Sequence, residues 1–438
     1  MNTIDEKKNY RIFYEIVVNS LAASLVNNFV WFALTFWVYL ETKSVLTTSL
    51  MAGVYSGTVA LTGFFLGTIV DRYPKKKSML FSSLGSLVLY TAAFLLYSMT
   101  PLAVFKNVQS PALWIFVLLA LVGALAGNLR AIALSTLVSV LLPEEERDKA
   151  NGLVGTANGV SFLVASIFSG LAIGYLGMFW MLVVALGLTV LVLIHLVFRK
   201  IPEKTIQHSE EHAPSFDVRK TIAIINAIPG LFGLIFFNCF NNFLGGVFMA
   251  LMDPYGLSLV SVQVWGLLWG LLSLGFILGG IAVARKGLGN NPLRTLFLTN
   301  IIMWAVCCVF TLHASIILLS IGLFVYMCLI PIIEAAEQTI VQKVIPPEKQ
   351  GRVFGFTQSI EQAASPVTAL LIGPIAQYLF IPYMTTGDGI RWLGPWFGTG
   401  ADRGIALIFT ITGIIGLVIT LLAMRSKPYH TLAKNYES

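Results

Sequence analysis

Twelve apolar runs limit what this chain can become: 12–40, 47–70, 78–99, 111–142, 152–176, 178–198, 221–252, 260–284, 293–313, 315–342, 353–382 and 404–424. Each exceeds the ~20 residues a helix needs to cross ~30 Å of hydrocarbon. Membrane-spanning strands are short and alternate in polarity, whereas these runs are continuous, so a barrel is excluded. The content of 57% apolar and 11% charged residues lies far from the ~45–50% and ~25% of water-soluble chains. The predicted fold class is therefore an all-α membrane protein with twelve transmembrane helices, and a soluble enzyme is ruled out. The polar start "MNTIDEKKNYR" leads into a run with no small-residue cleavage pattern after it, which predicts a retained helix. Cys239, Cys307, Cys308 and Cys328 all lie inside apolar runs and are expected as buried hydrophobes.

Basic residues set the direction. Of the 28 Lys and Arg, only Lys43, Lys106, Arg391, Arg403 and the intramembrane Arg130 fall outside the segments that are cytoplasmic if the N-terminus is inside. Lys and Arg accumulate on that side, so both termini are expected in the cytoplasm. The net charge of +7 is topological and gives no reason to expect a nucleic-acid partner.

The longest polar interruption, 199–220, separates two sets of six runs, which predicts an N-terminal half over 1–198, a cytoplasmic linker, and a C-terminal half over 221–438. "VNNF" at 26–29 is echoed by "FNNF" at 240–243, and Pro143 to Gly152 by Pro346 to Gly355. Such duplication is characteristic of transporters with a central site between the repeats. Within the linker His208, Glu211 and His212 match a His-x-x-Glu-His zinc spacing, but no catalytic domain surrounds them. No metal site and no cofactor are expected, and no Gly-x4-Gly-Lys-Ser/Thr loop is present to bind ATP.

The loop "GTIVDRYPKKK" at 67–77 resembles the signature of the major facilitator superfamily, and the twelve runs, central linker and duplication extend the resemblance over the whole chain. "LPEEERDKANG" after the fourth run and "FGTGADRGIAL" at the twelfth are similar to the bacterial drug:proton antiporter and macrolide-efflux group. The resemblance implies the major facilitator fold of two six-helix halves and export of a small-molecule substrate, with antibiotic resistance as its outcome. It implies residence in the cytoplasmic membrane as a monomer, with protons and the bilayer as further partners. It also implies a conformational latch at Gly67, Asp71, Arg72, Lys75 and Lys76. Physically, Gly67 permits close helix approach, Asp71 can face a helix N-terminus, and the basic residues suit an anionic leaflet. The chain departs from the family pattern at Pro74, where Gly is usual, and at Ala284, where the second half lacks the acid.

Charges within a bilayer are costly, so each one marks a functional hypothesis. Glu334, Glu337, Glu361 and Arg130 are the candidates for proton coupling. Glu334 and Glu337 share a helix face at three-residue spacing, where two carboxylates tend to hold a proton between them. The alternative is structural neutralisation by Arg130 or nearby polar groups. For the substrate cavity the candidates are Asn27, Asn28, Trp31 and Phe32 in the first run and Asn238, Asn241, Asn242 and Phe243 in the seventh. Amides and aromatics together suit amphiphilic molecules, and helix packing through Asn is the competing reading. The functional alternative is a facilitator-fold carrier for a physiological solute such as a lysophospholipid, peptide or siderophore.

Overall fold

The computed structural model describes residues 3–141, 147–201, 218–345 and 347–434. Among these, twelve helices have 18 residues or more: α1 Thr3–Thr42, α2 Val45–Arg72, α3 Lys75–Met99, α4 Pro111–Leu141, α5 Arg147–Leu171, α6 Gly177–Phe198, α7 Leu231–Leu259, α8 Val262–Lys286, α9 Pro292–Val309, α10 Ile316–Val344, α11 Pro347–Ile375 and α12 Ala401–Met424. A short α13, Lys427–Ala433, follows. Ten stretches are long and apolar enough to span a membrane. One of them, Gly159–Phe198, takes in both α5 and α6, and α2 adds the shorter apolar stretch Val45–Val59. The polar N-terminal turns extend α1 well before the apolar run at residue 12.

Local chemistry sets several boundaries. Asn291 caps α9 by accepting from the Arg294 N–H, with Pro292 at the first turn, and Ser315 caps α10 by accepting from the Leu318 N–H. A π-turn at Ala172–Leu176 joins α5 to α6, ending at Gly177 with φ of 77°. Another π-turn, Ala376–Phe380, ends α11. The two lie at equivalent places in the two sequence repeats.

Contacts divide the chain into two compact units, one of residues 1–47, 58–209 and 261–270, the other of 48–57, 210–260 and 271–438. In the first, α1 packs on α4, α5 and α6, and α3 on α4 and α6. In the second, α7 packs on α11 and α12, and α9 on α10 and α12. The helix pairings therefore recur. Ala133 and Leu137 of α4 are buried in one core, and Ala336 and Ile340 of α10 in the other. On α3 the exposed face instead carries Phe81, Leu84, Val88 and Leu95, an apolar stripe at helical spacing that lipid must cover.

The first unit includes the start of α8. Gly170 of α5 lies so close to it that a Cβ would fall 2.5 Å from the Val262 carbonyl oxygen and 3.0 Å from the Gly266 Cα. Any side chain there would force the helices apart.

Candidate functional site

In the second unit, Asn238, Asn241, Asn242 and Gly245 recur at helical spacing along one face of α7. With Asn300 and Met303 of α9 and Tyr326, Ile330, Ile333, Glu334 and Glu337 of α10 they line a cavity of about 160 Å³. The amides are oriented by bonds of their own. Asn241 Oδ1 accepts from Trp304 Nε1 at 2.9 Å and its Nδ2 donates to the Phe237 carbonyl at 3.1 Å. Asn242 Nδ2 donates to the Asn238 carbonyl at 3.1 Å, and its own carbonyl accepts from Ser365 of α11 at 2.7 Å. Phe243 stacks on Phe240 with centroids 6.2 Å apart.

Glu361, buried on α11, reaches into the same region because α11 packs along α7. Its carboxyl is within hydrogen-bonding reach of Glu337, and Asn238 stands beside both. The Asn238 Nδ2 and Glu361 Oε1 are nevertheless buried with no well-aligned donor or acceptor among the described residues. Two carboxyls can hydrogen-bond only if one carries a proton. The contact thus joins Glu337 to a helix-crossing partner, while Glu334, three residues earlier, is exposed at the cavity.

Arg130 of α4 is buried in the first unit. Its Nη1 donates to Asn19 Oδ1, and its Nη2 donates to Ser83 Oγ and more weakly to the Met79 carbonyl at 3.5 Å. All three partners are neutral, and its Nε has none among the described residues. Asn27 is equally engaged, its Oδ1 accepting from the Tyr90 hydroxyl at 3.0 Å. Phe32 packs edge-on against Phe162 at 5.0 Å, and Asn28 and Trp31 are half-buried.

Of the latch residues, Lys75 is buried and donates to the Val70 carbonyl at the end of α2. Lys76 donates to the Val197 carbonyl of α6 at 3.0 Å. The surroundings of Gly67 and the side chains of Asp71 and Arg72 lie outside the described residues, as do Pro143, Pro346 and the linker residues His208, Glu211 and His212.

Arg403, which sequence reasoning treats as an external-loop charge, is buried. It donates to the carbonyls of Phe397 at 2.6 Å, Thr311 at 2.9 Å and Leu312 at 2.8 Å, and to the Tyr255 hydroxyl at 3.3 Å. The sequence signal was the pair Gly398 and Gly400, whose φ values of 92° and 126° turn the chain sharply just before it.

Residues 16–369 match the family model described as Major Facilitator Superfamily. The chain belongs to that superfamily. It is a multi-pass membrane protein and a secondary transporter, not an enzyme. Among superfamily members it is 22% identical over 384 residues to macrolide efflux protein A of Streptococcus pyogenes, covering 84% of this chain and 90% of that protein. It is 23% identical over 323 residues to the protein of the same name from Enterococcus faecalis, covering 70% of this chain and 94% of that one. In fold it is similar to a bacterial homologue of the human lysosomal transporter Spinster in an inward-facing, unoccupied conformation, with a TM-score of 0.69, 13% identity and 99% of each chain covered. A D-xylose–proton symporter matches with a TM-score of 0.65, 14% identity, and 94% and 97% covered.

Proposed function

We propose that this protein exports amphiphilic organic compounds, macrolides among them, across the bacterial cytoplasmic membrane by alternating access. Protons entering in exchange drive the cycle, and both termini face the cytoplasm. The observation that carries the reading is the meeting of Glu337 and Glu361 beside an amide-lined cavity. A carboxyl pair that shares a proton in a sparsely hydrated site accepts and releases it as access changes sides. The cavity's asparagines offer adaptable hydrogen bonds, and Tyr326, Ile330 and Met303 offer apolar contact, a combination suited to amphiphiles. The relatives named macrolide efflux protein A support the substrate class.

The test is a growth-inhibition panel with and without the expressed protein, followed by transport of each hit in proteoliposomes under an imposed pH gradient. Export is expected to follow the gradient and to be uncoupled by Glu337→Gln or Glu361→Gln. Unchanged gradient-driven transport in both of these and in Glu334→Gln would overturn the proton site.

A further inference from the structure

Both N–H donors of the Asn19 amide are engaged. Its Nδ2 carries two protons, one directed at the Val192 carbonyl at 2.9 Å and the other at His195 Nδ1 at 3.0 Å, while its Oδ1 accepts from Arg130. Turning the amide over would set its oxygen against a carbonyl and its NH2 against a guanidinium, which has donors only. Val192 and Arg130 therefore fix the amide from two sides, and His195 Nδ1 must be an acceptor. A neutral imidazole has one N–H, so the proton belongs on Nε2. Arg199 Nε is aligned to donate to Nε2, but at 3.4 Å this is the longer and weaker of the two claims on the ring, and it yields once Nε2 carries the proton. Glu15 takes up that guanidinium instead, its Oε2 lying 3.1 Å from Arg199 Nη1.

The imidazole is half-buried in the last turn of α6. The described charged groups around it are Glu15 and Arg11 of α1, paired at 3.2 Å, Lys76 of α3, which donates to Val197, Arg130 of α4, and Arg199 of α6 itself. Glu15 and Arg199 give this end of the network contact with solvent.

We propose that His195 is a positioning residue for Arg130: its unprotonated Nδ1 completes, with the Val192 carbonyl, the seat in which the Asn19 amide presents Oδ1 to the guanidinium. When the Asn19 Nδ2–H···Nδ1 hydrogen bond opens, a second proton taken up by the ring from water on the Glu15–Arg199 side forms an N–H bond at Nδ1 and keeps that hydrogen bond from re-forming. Two donors then face each other, the amide swings away, and Arg130 keeps only Ser83 and the Met79 carbonyl. Acidification on that side thereby slows the cycle. The functional half of the inference rests on Arg130 taking part in transport.

Two measurements test it separately. In full-length protein labelled with 15N-histidine, the resonance that disappears in His195→Gln reports the tautomer. A neutral ring with its proton on Nε2 is expected, with the preference lost in Asn19→Leu; a proton on Nδ1 of the neutral ring would overturn the proposal. Transport of ethidium by proteoliposomes is then followed while the medium on the Glu15 side is acidified stepwise. Wild-type transport is expected to fall about fivefold or more, whereas His195→Gln, whose Oε1 accepts from Asn19 and cannot titrate, retains its rate at the acid end. Superimposable profiles for the two would overturn the switch. Normal transport by Arg130→Ala would overturn the role of Arg130 and leave the tautomer result to decide the hydrogen-bonded chain.

Discussion

The Tyr90 hydroxyl donates to Asn27 Oδ1 at 3.0 Å, tying α3 to α1. The other repeat does the same with different chemistry: Trp304 Nε1 donates to Asn241 Oδ1 at 2.9 Å, tying α9 to α7, and each pair spans 63 residues of sequence. A phenol and an indole have taken the same place because each presents one donor at the end of a large apolar body. The conserved element of the duplication is the bond, not the side chain that makes it.

Removing the acceptor is predicted to cost more than removing the donor's polar atom. Asn27→Leu takes from the Tyr90 hydroxyl the oxygen it donates to, and Asn241→Leu does the same to the Trp304 indole N–H, each costing about 1–3 kcal/mol. Tyr90→Phe removes the donor together with its polar atom and should cost about 0.5–1.5 kcal/mol. Thermal unfolding of the purified variants in one detergent ranks them; a larger loss for Tyr90→Phe than for Asn27→Leu would contradict the order.

The sequence carried the twelve helices because lipid imposes a length and a polarity on each span, and both are local properties. It carried less of the site. Glu334 and Glu337 are neighbours in the chain, and helical spacing alone pairs them. The partner that Glu337 meets is Glu361, brought there by the packing of α11 along α7, which no periodicity encodes. Arg403 was hidden for the same reason: its acceptors lie near residues 255, 311 and 397, and only the folded chain assembles them. Asn19 and His195 are 176 residues apart, and an Asn and a His in apolar runs give no sign of such a bond.

At the carboxyl pair, Glu361→Gln should leave the fold intact, since a glutamine amide can donate permanently to Glu337 in place of a shared proton. The expected effect is loss of pH-gradient dependence with substrate binding retained, read by comparing dye binding with gradient-driven flux. Glu361→Asp shortens the reach to Glu337 and is expected to keep part of the coupling.

Arg130→Lys separates charge from geometry. A lysine ammonium retains the charge but lacks the planar fork that serves Asn19 and Ser83 together. Transport is predicted to drop by about tenfold or more, roughly 1.4 kcal/mol in the rate-limiting step, with only a small change in melting temperature. A variant that transports normally would assign Arg130 a packing role.

Where α5 meets the start of α8, backbone touches backbone. A Cβ at Gly266 would fall 2.6 Å from the Ser166 carbonyl oxygen, so the neighbour cannot rotate away as a side chain would. Gly170→Val and Gly266→Val are each predicted to destabilise the protein by about 1–3 kcal/mol through overpacking. Gly159→Ala on the same helix meets open space and serves as the neutral control in the same melting assay.

Arg403 gives an experimenter a handle. Four of its five N–H donors go to Phe397, Thr311, Leu312 and Tyr255, so the segment carrying the exposed Trp392 and Trp396 is fastened to the ends of three helices by one side chain. A nanobody raised against that tryptophan-bearing surface would ride on the helices beneath it without slack. It would serve as a rigid fiducial for particle alignment in electron cryomicroscopy, and its displacement between imaged classes would measure how far this part of the transporter travels.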